Sequence, residues 1–387
     1  MNLFKTIPIV ALSVLACLLA GCGDGSKASP GASSAAKDDG SADVARGMAA
    51  LAQQDATTAA AAFKAAVKTC PENFEAQIQL AIVTMRLGET AAAAAAAARA
   101  VELRPDSAEA RLVSGQAAYL NKDYARALEE FSAVARDKSL PAALCSDAWV
   151  GRGVVEFAQS SPDSARISFL RARRLNRRNA AAWYHLGVLS RDTYHYDAAA
   201  YEQFEMASRL LDAKDPRAKK ITRDILPALR RSLTAVSAAK PGVTKRDPAA
   251  AAKFLAEGKS LQSKKMITAA IKKYDAAFAA DPLSGPAAQA SATLRGLNAR
   301  TDSDVDKALE AYRAVIDQNP AAQTNYIAAA QLAYKHRRWA TAVKILEHAV
   351  AHDPDSITTL DLLIAALKKA GKGSQAEGWQ EYRKELK

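Results

Sequence analysis

A pattern of small and bulky residues recurs about every 34 residues along most of this chain. Its clearest copy contains Trp149, Gly153, Ala165, Phe169 and Ala172. A repeat of this length is one pair of helices that cannot bury its apolar face alone, so neighbouring pairs must stack into a continuous array. The pattern therefore predicts an extended helical scaffold for binding, and it disfavours a globular domain built around a catalytic pocket.

Each position of the pattern has a role in packing. Small residues let two helices approach closely, an aromatic residue fills the gap between them, and proline ends the second helix. Successive copies begin at Gly40, Phe74, Ala108, Ser146, Ala180, Ala251, Gln289, Gln323 and Ile357. These copies resemble the tetratricopeptide repeat. The resemblance implies an all-α solenoid of antiparallel helix pairs, wound as a right-handed superhelix, that binds a protein or peptide partner.

The register predicts two repeat blocks. Residues 43–233 form the first block, with five repeats followed by a basic amphipathic helix, and residues 249–387 form the second, with three repeats and a degenerate C-terminal cap. Residues 234–248, which contain Lys240, Pro241 and Gly242, form a linker between the blocks. No segment shows the period-two alternation of a half-buried strand, so we expect no β-sheet.

Residues 1–21 are typical of a signal peptide. Lys5 precedes an apolar stretch from Ile7 to Leu19, which is too short to span a bilayer. The end of the segment, Leu19-Ala20-Gly21-Cys22, resembles the lipobox of bacterial lipoproteins. This resemblance implies cleavage before Cys22 and attachment of several acyl chains to it, which anchor a protein firmly in a membrane. Plain secretion with a coincidental cysteine is the alternative.

Residues 22–42 are predicted to be a disordered tether, because they contain no aliphatic side chain larger than alanine and cannot bury enough surface to offset the entropy of ordering. In the lipoproteins that this segment resembles, aspartate after the acylated cysteine commonly retains the protein in the inner membrane. Gly23 therefore implies the periplasmic face of the outer membrane. Asp24 leaves the inner membrane open, and the cell surface is a further alternative.

The remaining cysteines, Cys70 and Cys145, lie two repeats apart, which is too far for a disulfide bond, so we expect unpaired thiols. His348 and His352 have the i, i+4 spacing of metal ligands but no third ligand, and we expect them on the surface. A polar aromatic group in the fifth repeat is expected to serve repeat packing: Tyr184, His185, Tyr194, His195 and Tyr196. No nucleophile motif or glycine-rich phosphate loop is present. We therefore expect no enzyme activity, metal or cofactor.

In proteins with this repeat, the first helix of each pair lines a concave groove for a partner peptide. The corresponding positions in repeats two to five are Ile78, Ile82, Met85, Leu112, Gln116, Tyr119, Val150, Val154, Phe157, Tyr184, Val188 and Arg191. An apolar stripe of this length predicts a peptide-binding groove in the first block. The alternative is that these residues pack against neighbouring helices. The charged clamp of members that bind chaperone tails is not reproduced.

The net charge of +12 is unevenly distributed, because residues 214–246 contain ten Lys or Arg and two Asp. The basic patch of this segment consists of Lys214, Arg217, Lys219, Lys220, Arg223, Arg230 and Arg231. A second arginine cluster lies at residues 166–178. Such patches bind acidic glycans, lipid phosphates or acidic proteins, and outside the cytoplasm nucleic acid is not an expected partner. A merely solvated basic surface is the alternative.

These features together predict a non-catalytic scaffold lipoprotein of the bacterial envelope. Its partner would belong to machinery for assembly, secretion, polysaccharide export or the cell wall. A module that binds polyanions through residues 214–246 is the alternative function.

Overall fold

A computed structural model describes residues 40–238, 246–282 and 284–386. The predicted signal peptide, Cys22 and the tether as far as residue 39 lie outside these residues. Within the described ranges every regular element is a helix and no strand occurs, which confirms the predicted all-α class. None of the helices in those ranges has the length and apolar character needed to cross a membrane.

The first compact unit ends at Ala182 and contains the helix pairs of repeats one to four. Its helices are α1 Ser41–Ala52, α2 Ala56–Thr69, α3 Phe74–Leu87, α4 Thr90–Leu103, α5 Ala108–Leu120, α6 Tyr124–Ala135, α7 Ala142–Ala158 and α8 Pro162–Leu175. Helix α1 begins within the last residues of the predicted tether. Phe74 and Ala108, which begin sequence repeats, also begin helices.

The second compact unit covers Trp183–Lys387. Helix α9, Ala180–Val188, leads into it and continues as a π-helical turn, Leu189–Thr193. The helices that follow are α10 Asp197–Leu210, α11 Pro216–Lys220, α12 Leu226–Ala238, α13 Pro248–Ser263, α14 Ile267–Ala280, α15 Gly285–Asn298, α16 Asp302–Gln318, α17 Gln323–Lys335, α18 Trp339–His352, α19 Ile357–Lys369 and α20 Gly373–Lys384. The linker at residues 234–248 stays a prediction, because residues 239–245 lie outside the described part of the chain.

The predicted basic helix occurs as α11 and α12, joined by a π-helical turn over Ile221–Ile225. Pro227 explains this turn, because proline lacks an N–H group and its ring clashes with the carbonyl four residues earlier in a regular helix. Ile221, Ile225 and Leu229 are buried, as the apolar periodicity predicts.

Contacts between a glycine and an aromatic ring join the two helices in six of the described helix pairs. A Cβ atom on Gly153 would lie 2.5 Å from Cε1 of Phe169, and one on Gly258 would lie 2.5 Å from Cε1 of Tyr274. The same pairing joins Gly47 to Phe63, Gly115 to Phe131, Gly187 to Phe204 and Gly296 to Tyr312. The core of these six pairs is therefore built where the first helix carries no side chain and the second carries a ring.

The turn between the two helices of a pair has a recurring backbone conformation. The residue at position 15 of the repeat has a positive φ in most repeats, and glycine, which pays no steric cost for that conformation, occupies this position only at Gly88 and Gly371. The non-glycine residues with positive φ in the described part of the chain are Gln54, Lys122, Ser160, His195, Lys265 and Arg337. The same tight turn thus recurs about once every 34 residues, between the two helices of a pair.

Candidate peptide-binding groove

The groove residues of repeats two to four fall into two groups in the first unit. Side chains at the inner positions are buried by neighbouring helices, with exposures from 0% for Ile78 to 9% for Gln116. The other buried members are Leu112, Val150 and Val154. These five side chains pack in the core of the array, so an incoming peptide would not contact them directly.

The outer groove positions are partly accessible. Ile82, Met85, Tyr119 and Phe157 are half-buried, and they belong to the first helices of three consecutive repeats. Tyr119 also packs against Tyr124, with 6.1 Å between the ring centroids, and burial raises the pKa of the Tyr119 hydroxyl. We call these four residues the apolar row. It is narrower than the stripe that the sequence predicts.

Three carboxylates occupy the second position of the same three repeats, and the sequence interpretation missed them. Glu75 accepts a hydrogen bond from Nε2 of Gln79 at 2.7 Å, and Asp147 accepts one from Nδ2 of Asn179 at 2.8 Å. Glu109 is the third member. The sequence does contain a signal for these carboxylates: all three occupy the second position of the repeat, and that position lines the groove in proteins with this repeat. We call Glu75, Glu109 and Asp147 the acidic row.

Glu109 has an unusual electrostatic environment. Burial raises the pKa of its carboxyl, and the negative charge of Glu75 raises it further, against a smaller opposite effect of Arg104. Its Oε1 atom is buried and has no hydrogen-bond partner among the described residues. A buried oxygen without a donor is costly, and a cationic group near this carboxyl group would reduce that cost through its charge.

A network of charged and polar side chains joins the two helices of the fourth repeat. The Arg152 guanidinium lies 5.1 Å from the Trp149 ring centroid and its Nε donates to Glu156 at 2.8 Å. The hydroxyl of Ser168 donates to the other Glu156 oxygen at 2.6 Å. Because the carboxylate of Glu156 is buried but hydrogen-bonded on both oxygens, it joins α7 to α8 without an unpaired charge.

The three fifth-repeat groove residues belong to the second unit. Tyr184 and Val188 are buried. Arg191 donates to Asp192 at 2.9 Å, and its guanidinium lies 5.2 Å from the ring centroid of Phe204. These contacts hold the Arg191 side chain against its own repeat.

The polar aromatic group of the fifth repeat is divided in the structure. His185 is buried, and burial together with the charge of Arg217 lowers its pKa to about 3. Tyr194 stacks on Tyr196 with 5.7 Å between centroids, whereas His195 is exposed in the turn.

The expectation that His348 and His352 lie on the surface is wrong. His348 stacks on Tyr196 at 4.4 Å between centroids, and the side chain of His352 is 2% exposed. Both are covered by residues about 150 positions away in sequence, which no local pattern reveals. Among the described residues no group of three His, Cys, Asp or Glu side chains could hold a metal ion.

The basic patch is only partly available. Lys214, Lys219, Lys220 and Arg223 are exposed and form no ion pair within the described part of the chain. Arg217 instead donates to Asp215, with Nη2 2.6 Å from Oδ2, and Arg230 donates to the Tyr201 hydroxyl at 3.1 Å. Arg231 is exposed.

The second arginine cluster contributes less surface than its sequence indicates. Arg166 and Arg171 are buried, and the Arg171 guanidinium lies 4.6 Å from the Trp149 ring centroid. Cys70 and Cys145 are both free thiols, as predicted. The thiol of Cys145 is buried and burial raises its pKa, so it is a weak nucleophile.

Comparison with known proteins agrees with this architecture. The model of the tetratricopeptide repeat family matches residues 44–83, 78–141, 151–215 and 255–323, which is more than half of the chain. The chain therefore belongs to the tetratricopeptide repeat family. No curated protein matches it.

Several solved structures are similar in part. MamA 41-end from Desulfovibrio magneticus RS-1 is 20% identical, with 46% of this chain and 98% of that chain covered and a TM-score of 0.39. PilF of Pseudomonas aeruginosa is 18% identical, with 52% of this chain and 94% of that chain covered and a TM-score of 0.40. The APC/C hetero-tetramer Cut9-Hcn1 is 14% identical, with 90% of this chain and 79% of that chain covered and a TM-score of 0.38.

Proposed function

We propose that this protein is a non-catalytic scaffold lipoprotein of the bacterial cell envelope, and that it binds a partner protein or peptide in the groove of its first repeats. Membership of the tetratricopeptide repeat family supports a role in protein interaction. The observation that carries the site is the apolar row beside the acidic row on repeats two to four.

The two rows favour one kind of peptide. Half-buried aliphatic and aromatic side chains at Ile82, Met85, Tyr119 and Phe157 offer contacts to apolar side chains of a partner. The acidic row attracts lysine or arginine. Because Oε1 of Glu109 has no hydrogen-bond partner among the described residues, a nearby cation would stabilise this carboxyl group. The partner is therefore a segment that combines apolar residues with at least one basic residue, within an assembly, secretion, polysaccharide-export or cell-wall machine.

Crosslinking from the groove tests this site. A photoreactive residue at position 119 in growing cells should trap a partner that mass spectrometry identifies. The variant with Tyr119→Ala and Phe157→Ala should lose capture in a pull-down with unchanged helicity. Leu175→Ala is the matched control, because Leu175 is an exposed apolar residue on α8, a second helix of its pair. Capture that survives the double substitution would exclude the groove.

The envelope address rests on the N-terminal sequence. Leu19 to Cys22 resembles a lipobox, and Gly23 favours the periplasmic face of the outer membrane. We expect the mature protein to begin at an acylated Cys22 and to fractionate with outer membranes. Mass spectrometry of the N-terminal peptide, with Cys22→Ala as the control, measures this. A mature N-terminus without acyl chains would contradict it.

A second function is favoured by the exposed cations of the basic patch. Lys219, Lys220 and Arg223 have no ion pair in the described residues and lie on one helix and turn, so they could bind an acidic glycan or lipid phosphate. Binding to vesicles containing anionic phospholipid should weaken steeply as salt rises, because several ion contacts are screened. Replacing all three residues with Glu should abolish it. Binding that is indifferent to salt would exclude this function.

A further inference from the structure

Two distant segments of the second unit meet through side chains. Nε2 of Gln203 on α10 donates a hydrogen bond to the backbone oxygen of Ala351 on α18 at 3.2 Å. Tyr196, which precedes α10, stacks on His348 of α18 with an interplanar angle of 13°. Because these segments belong to the fifth and eighth repeats, ordinary stacking of neighbouring pairs does not require this contact. We call it the α10–α18 contact.

The contact buries polar groups that it does not satisfy. Both ring nitrogens of His352 and the hydroxyl of Tyr326 on α17 are buried and have no hydrogen-bond partner among the described residues. Tyr326 lies edge-on to His348, with 5.2 Å between centroids, and 6.3 Å from His352. Burial of unsatisfied polar atoms weakens an interface, so these groups lower the stability of the α10–α18 contact.

We propose that the α10–α18 contact is pH-sensitive: protonation of His348 separates the two helices and exposes the tyrosine surface beneath. The imidazole of His348 lies against the rings of Tyr196 and Tyr326 and 5.5 Å from that of His352, and burial there disfavours its charged form. Separation lets the His348 ring reach water. The device is a property of the second unit and does not depend on the proposed peptide groove.

The charged and titratable groups around the histidines determine the direction of the effect. On α18 itself Glu347 precedes His348. From α10, Oε2 of Glu202 lies 3.5 Å from Nδ1 of His352 and opposes separation, because its negative charge attracts an imidazolium group nearby. Its side chain is 55% exposed, so solvent weakens that attraction. On α17, the pKa of Tyr326 is raised by burial and by Asp317 and Glu202, so its hydroxyl remains neutral.

The sign of the pH dependence follows from His348. Burial, and to a smaller extent His352, lowers its pKa to about 4 from an ordinary value of 6.5. The joined state therefore binds fewer protons than the separated state, and its stability is lost as the pH falls from 6.5 to about 4. For one proton linked in this way, the separated population rises by up to about twentyfold between pH 7 and pH 5.

Hydroxyl-radical footprinting of the full chain tests the proposal, because it reads side-chain access by mass spectrometry. Oxidation of Tyr326, which is 1% exposed, should accelerate by up to about twentyfold from pH 7 to pH 5. Tyr274, equally buried in the sixth repeat, is the internal control and should not change. Equal acceleration of both tyrosines would mean general unfolding and would overturn the proposal, as would no acceleration of Tyr326.

Variants separate the histidine pair from other causes. His348→Phe with His352→Phe keeps aromatic packing and should abolish the pH response, whereas His185→Phe, which removes a buried imidazole elsewhere in the unit, should preserve it. Where the double variant does not fold, Glu202→Gln gives an independent result. It removes the carboxylate that opposes separation, so the response should increase. A response that persists without the two histidines, or that shrinks in Glu202→Gln, would refute the proposal.

Discussion

The first helices of repeats two to four and the helices of the eighth repeat share one architecture but use their surfaces differently. The former present the apolar row and the acidic row, which no described segment covers completely. In the latter, His348 and His352 are covered by residues of the fifth repeat. A repeat array thus offers the same kind of surface several times, and the chain itself occupies one of them. All five histidines lie beyond residue 182, so only the second unit can respond to pH through imidazole groups.

The largest expected effect comes from removing the aromatic ring between two paired helices, once in each unit. Phe169→Ala removes the ring that fills the space beside Gly153 and should lower the free energy of unfolding by about 3 to 5 kcal/mol through cavity formation. Tyr274→Ala is its counterpart in the second unit. Chemical denaturation measures both losses. Only Phe169→Ala should also impair capture of a groove partner, because repeats act mainly on their neighbours. Equal loss of capture in both variants would contradict the independence of the two regions.

Acid should affect the two units unequally. His185 has a pKa lowered to about 3, so its neutral buried form stabilises the second unit above pH 6.5, and that stability is lost as the pH falls toward 3. At pH 4.5 the loss is about 2 to 3 kcal/mol for this residue alone. Hydrogen exchange resolved by peptide should show earlier loss of protection in the second unit. His185→Phe should delay it. Simultaneous loss in both units would show that carboxylates dominate instead.

The acidic row can be tested against an ordinary surface carboxylate. Glu109→Gln should weaken binding of a basic partner peptide by about 1 to 2 kcal/mol, since a charge-assisted hydrogen bond becomes a neutral one. Glu102→Gln is the control, because Glu102 is exposed and pairs with Arg99 on α4. Isothermal titration calorimetry with the crosslinked partner's peptide measures both. A peptide indifferent to Glu109→Gln would exclude Glu109 as a contact for a basic residue of the partner.

Features that repeat locally were predictable from the sequence. Gly153 and Phe169 are sixteen positions apart in the same pair, and the same spacing recurs at Gly258 and Tyr274, so helix pairing follows from a short pattern. Pro227 likewise accounts for the π-helical turn at Ile221–Ile225 within the basic helix. In each case the cause lies within one repeat, where neighbouring residues determine both conformation and contact.

The features that were missed depend on contacts between distant residues or on atomic environment. Burial of His352 requires α10, whose residues are remote in sequence, and no periodicity of α18 shows it. Burial of Arg166 and Arg171 escaped a count of charges, because an aromatic neighbour such as Trp149 can cover a guanidinium group. The groove stripe was predicted too broadly, because the helical register cannot separate core positions such as Ile78 from outer positions such as Tyr119.

The smallest expected effect concerns the turns that both regions share. Ser160 in the fourth repeat has φ 60°, a left-handed conformation that costs a non-glycine residue about 1 kcal/mol. Ser160→Gly should relieve that strain, although glycine also gains entropy in the unfolded chain, so a net stabilisation of about 0.5 kcal/mol is expected. The reverse substitution, Gly88→Ala, should destabilise by about 1 kcal/mol, because φ is 79° there and no neighbour restricts space. Thermal unfolding measures both. Opposite signs for the two variants would establish that backbone strain recurs at this turn, whereas equal signs would show that the surrounding side chains decide its stability.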